Sequence, residues 1–273
     1  MNDLASRSKK MLRTGVPFKL AGANRSVHFL RGVFSRSSMC LPAFYYFLGS
    51  ASAYEVAKTT DDYPFKVAQT YSEFSNLNTL TLACRKIFDH ATKTELTGAN
   101  FAKLSDGALQ EHAEYWSKVS AESRDDCLQA LIFLRSFFSE YSKTDTELLK
   151  TDGWLHKRIG LLKQHADRAA AHLSLQDYAL DILDLGHFTA AVVIVGEIVR
   201  SFDNRALGSD YFNQIEQASY EAAKRVFPQI PKFQLFGNMQ VQQQARFYWK
   251  HQKHESIQSY FDQLQFALGG YRD

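Results

Sequence analysis

The run His165-Ala-Asp167-Arg168-Ala-Ala-Ala-His172 brings together side chains that can move protons and hold charge near neutral pH. On a helix, Arg168 and His172 are four residues apart and share a face, while His165 lies three residues before Arg168 on adjoining surface. Imidazole takes or gives a proton near pH 7, and guanidinium stabilises negative charge developing on a phosphodiester. Acid–base attack on a phosphodiester is the chemistry to expect, with His172, Arg168, His165 and Asp167 as candidate catalytic residues. The same residues also suit an ordinary helix C-terminus, where cations complement the dipole.

Other chemistries find little support. No glycine loop for phosphates, dinucleotide fingerprint, nucleophile elbow or HExxH occurs. Cys40, Cys84 and Cys127 are widely spaced, without metal-site or disulfide-framework spacing, and read as buried reduced thiols of a cytoplasmic protein. His251-x-x-His254-Glu255 puts two histidines on one helical face but offers no third ligand, so neither a metal nor a cofactor is expected.

A second candidate region is electrostatic. Residues 1–40 carry eight Lys or Arg against one acid, Asp3, although the whole chain is only +3. Lys9, Lys10, Arg13, Arg25 and Arg31 are the candidate nucleic-acid contacts, since clustered cations track phosphates. An Arg- and Ser-rich, acid-poor leader also resembles a transit peptide. A solvated, loosely ordered tail is the plainer reading.

The elements that must position these residues are helical. The chain has 273 residues, 45% of them apolar, with only 5 Pro and 14 Gly. Val67, Tyr71, Phe74, Leu77, Leu80, Cys84 and Ile87 recur at three- and four-residue steps, predicting a long amphipathic helix that ends near Asp89. Helices are also expected over residues 43–58, over 107–119, and from a Ser123 cap through Tyr141. Further ones should follow an Asp152 cap, cover 184–202, run from a Ser209 cap to Val226, and occupy 241–268. Nothing alternates like a strand. The expected fold is an all-α helical bundle over residues 41–205, with a basic tail over 1–40 and additional helices over 206–273. Residues 39–48 are too short for a membrane span, and His187, Glu197 and Arg200 interrupt the apolar stretch 188–199, so no membrane is expected.

The helix ending in Cys84-Arg85-Lys86-Ile87-Phe88-Asp89, the segment 97–104, and the stretch 165–174 before an apolar helix resemble the HEPN superfamily, closest to its abortive-infection branch. The likeness covers residues 44–204 and rests on helix order plus Ala171-His172-Leu173-Ser174. It implies a helical bundle, often dimeric, in a family rich in metal-independent ribonucleases and toxins. His172 would then be the catalytic acid or base and Arg168 the nearest phosphate-stabilising cation. Family members space Arg and His by four to six residues, whereas three separate Arg168 from His172 here. Three functions stay open. The chain is a toxin or defence effector cutting RNA, a non-catalytic interaction protein such as an antitoxin, adaptor or assembly subunit, or a nucleic-acid-binding protein using its basic leader.

Overall fold

A computed structural model describes residues 22–57, 63–89, 97–172, 182–202, 210–237 and 239–253. Among them are ten helices and no strand. These are α1 (Gly22–Ala57), α2 (Tyr63–Phe88), α3 (Gly98–Phe101), α4 (Asp106–Ser117), α5 (Arg124–Tyr141), α6 (Asp145–Lys150), α7 (Trp154–His172), α8 (Ile182–Phe202), α9 (Tyr211–Val226) and α10 (Val241–His251). The all-α bundle expected from periodicity is the fold observed.

α8 is the hub. From Leu185 to Arg200 every residue of α8 is buried, among α1, α7, α5 and α10. It alone among the described helices is long and apolar enough to cross a membrane, but its side chains are enclosed by the bundle. A central helix must be apolar all round, and this one is. Its two buried charged residues, Glu197 and Arg200, neutralise each other. Arg200 donates from Nε and Nη2 to the two carboxylate oxygens of Glu197, at 2.6 Å each. Burial raises the Glu197 pKa, and the guanidinium opposes that rise.

α1 begins well before the residue 43 start expected from sequence. Phe29, Leu30, Val33, Ser37, Leu41 and Phe44 supply a buried stripe at helical spacing, so residues 22–40 open a core helix. The expected boundary at residue 40 therefore falls inside α1, and residues 1–21 lie outside the described residues. The helix runs through both Gly32 and Pro42. Pro42 removes one N–H from the ladder, at a typical cost of about 3 kcal/mol, and burial of the surrounding stripe offsets it. Close approach helps. A Cβ on Gly196 of α8 would collide with Ser37, whose hydroxyl lies 2.8 Å from the carbonyl oxygens of both Val33 and Val192.

Near the start of α1, aromatic rings interlock. Phe138 of α5 lies 5.2 Å from Phe29, 5.7 Å from Phe101 and 6.2 Å from Phe88, centroid to centroid. The Ser123 cap of α5 is present, its hydroxyl accepting from the Asp126 N–H. The Asp152 cap is not. The chain there first forms α6, whose Thr144 and Glu147 make a reciprocal capping box, and α7 starts at Trp154.

α9 and α10 share this core. The Tyr45 hydroxyl donates to Glu216 at 2.6 Å and accepts from the Leu235 N–H at 3.0 Å. Phe236 N–H also donates to Glu216, at 3.1 Å. These bonds tie the segment between α9 and α10 to α1. α10 ends at His251 instead of continuing to 268. Gln252 adopts a left-handed conformation, φ 53°, and Lys253 N–H returns to the Tyr248 carbonyl. The remainder of the expected helix, with His254 and Glu255, lies outside the described residues.

Candidate functional site

α7 carries the four candidate catalytic residues, positioned by its buried Leu155, Ile159, Leu162 and Ala166. The backbone stays helical through His172, so Arg168 and His172 occupy successive turns of one face. Their side chains lie outside the described residues. Asp167 is exposed, and its Oδ1 pairs with Arg85 Nη1 of α2 at 2.8 Å. His165 is half-buried, and burial lowers its pKa, which favours neutral imidazole at physiological pH. The ion pair thus joins two segments that carry the family resemblance, the end of α2 and the end of α7.

Beneath them sits Lys163, which sequence reasoning missed. It is buried, and its Nζ donates to the Lys143 carbonyl at 2.6 Å. Burial lowers its pKa, while Cys84, Asp89, Asp145 and Asp167 pull the other way. Lys163 ties α7 to the turn before α6. Nearby, His156 Nε2 lies 2.6 Å from Glu140 Oε1, closing the end of α5 against α7.

The candidate nucleic-acid contacts are less well placed to act together. Lys9, Lys10 and Arg13 lie outside the described residues. Arg25 is in the first turn of α1, its side chain also outside, and Arg31 is half-exposed farther along α1. All three cysteines are buried and free. Burial pushes the Cys84 thiol up to about 12 and raises Cys40 and Cys127 too, which leaves them poor nucleophiles. Among the described residues no group of three or more His, Cys, Asp or Glu could hold a metal ion.

The least expected surface is on α2. Leu80, Cys84 and Ile87 are buried as their spacing suggests. Val67, Tyr71 and Phe74 are not, being 52%, 73% and 36% exposed. None of the described side chains of α2 before Leu80 is buried. At 100° per residue, Val67, Tyr71, Phe74, Asn78 and Leu82 fall within one narrow arc, and Leu82 is 52% exposed. Arg85 continues the same arc and ends it at the ion pair with Asp167. One signal for this lay in the sequence. From Tyr63 to Cys84 the only charged residues are Lys66 and Glu73, few for a helix with a solvated side.

Comparison with protein-family models, curated proteins and solved structures finds no match of any of the three kinds.

Proposed function

We propose that this protein is a helical interaction protein whose contact surface is the hairpin of α1 and α2. The observation that carries this reading is the exposed stripe of Val67, Tyr71, Phe74 and Leu82 on a helix with two charges in its first 22 residues. Exposed contiguous apolar surface of this kind is costly in a protein that meets no partner, and it marks association sites. Antitoxin, adaptor and assembly-subunit roles all work through such a face. Replacing Tyr71 and Leu82 by Glu should abolish association while leaving helix content and melting temperature near wild type. Unchanged complexes in the folded variant would reject the reading.

A second reading has its own support in α7. That helix holds Arg168 and His172 one turn apart, a closer spacing than the HEPN pattern, with Asp167 next to Arg168 in the chain and paired to Arg85, and a metal-independent ribonuclease would work through these residues. His172 would take the 2′-hydroxyl proton and Arg168 would stabilise the charged phosphorane. The purified protein with total RNA separates the two readings. RNA left intact at every condition supports the interaction protein. Cleavage that survives chelators and stops in His172→Ala would establish the ribonuclease.

A further inference from the structure

The five sequence candidates for nucleic-acid contact do not form one set, but the fold gathers a different one on α1. From Gly22 to Tyr54 the chain has no Asp or Glu, although it holds 29 of them in all, so no carboxylate within this stretch of α1 offsets Arg25, Arg31 and Arg36. At 100° per residue, positions 25, 28, 31, 35 and 36 fall within roughly 140° of the helix circumference. Phe29, Val33 and Leu41 hold the other side in the core. His28 and Ser35 are exposed, and Arg31 and Arg36 are half-exposed. Gly32 lies in the same arc, and Arg36 folds back over it, since a Cβ on Gly32 would stand 2.7 Å from Arg36 Nη1. The Arg36 guanidinium is thereby drawn one turn back along α1, toward His28 and Arg31.

The make-up of this face selects its occupant. A row of cations without acids, about 16 Å long from position 25 to 36, matches phosphates, which a duplex presents about every 1.7 Å along its axis. The small residues Gly32 and Ser35 between the cations leave room for a backbone to approach closely. Binders of single strands stack bases on aromatic rings, and this arc holds no Phe, Tyr or Trp. A basic helix at an anionic membrane buries large apolar residues beside its cations. Met39 is the one large apolar side chain in the arc, while Phe29, Leu30 and Val33 are enclosed by the bundle.

We infer that the outward face of α1, centred on His28, Arg31 and Arg36, binds the phosphodiester backbone of double-stranded nucleic acid without reading its sequence. It draws on other residues than the α2 stripe, so its failure leaves the interaction reading in place. The test is fluorescence anisotropy of the full-length protein with labelled DNA and RNA duplexes of about 30 base pairs, in salt between about 50 and 200 mM. Duplexes of unrelated sequence should bind equally and single strands more weakly, and the DNA and RNA arms show which duplex is held more tightly. The Arg31→Gln/Arg36→Gln double variant should reduce the steepness of log K against log salt by about 1.8, with unchanged circular dichroism. Ser35→Glu, a separate change at an exposed position, should weaken duplex binding at least about threefold. Absence of duplex binding, binding that both variants leave unchanged, tighter binding to single strands, or capture by vesicles of anionic lipid in place of duplex overturns the inference.

Discussion

Arg85 Nη1 reaches Asp167 Oδ1 at 2.8 Å and so fastens the last turn of α2 to the last turns of α7. Both side chains are solvent-accessible, and water screens much of the attraction. Asp167→Asn should therefore lower unfolding free energy by about 1 kcal/mol or less in urea titrations. A loss several times larger would mean that the pair holds up more of the bundle than its exposure allows.

The buried Tyr45–Glu216 contact should behave differently. Tyr45→Phe removes a hydroxyl that donates to Glu216 and accepts from Leu235 N–H, leaving buried polar groups short of partners. The expected cost is ~1–3 kcal/mol, with faster proteolysis of the segment between α9 and α10. Equal proteolysis in the variant would show that the apolar contacts of Phe233, Leu235 and Phe236 hold the segment unaided.

Stability should also depend on pH through His112. Its ring is buried, Nδ1 has no partner among the described residues, and burial lowers its pKa below the ordinary 6.5. The unfolded chain takes up the proton near that ordinary value, and the folded chain does so only at lower pH. More protons bound to the unfolded state mean that stability falls as pH drops through about 6.5 toward the lower folded-state value. His165, shifted the same way, adds to the slope. In His112→Asn the acid-side loss should be shallower than in the wild type, measured by denaturant titration at several pH values. An identical slope would exclude His112 as a source.

Much of the fold was legible because helical periodicity reports burial directly where a helix sits inside the bundle. α8 is apolar all round and is enclosed all round, and Ser123 caps α5 as its type suggests. α1 starts well before residue 43 because the tertiary burial of Phe29, Val33 and Phe44 outweighs the basic, loosely ordered look of the stretch before it. α2 was misjudged for the opposite reason. An apolar stripe at helical spacing does not say what covers it, so Tyr71 looked like core and stands in solvent. The candidate site was legible as a run of residues on one helix. The partners that cross between helices, Arg85 to Asp167 and Lys163 to the Lys143 carbonyl, depend on which helices are neighbours and had no local sequence signal.

The Phe138 cluster offers a check on the core. Removing this ring takes away contacts with Phe29, Phe88 and Phe101 at once. Phe138→Ala should cost ~3–5 kcal/mol, seen as a large drop in the denaturant midpoint. A loss below about 1 kcal/mol would contradict the packing described.

The most direct test of the hairpin as contact surface is site-specific photo-cross-linking of the full-length protein at native abundance. A benzophenone side chain replaces Tyr71 in one sample and Tyr115, an exposed tyrosine on α4, in another. Position 71 should give one discrete covalent adduct, and position 115 should give none. Failure of position 71 to cross-link in folded protein, or the same adducts from both positions, would contradict the account.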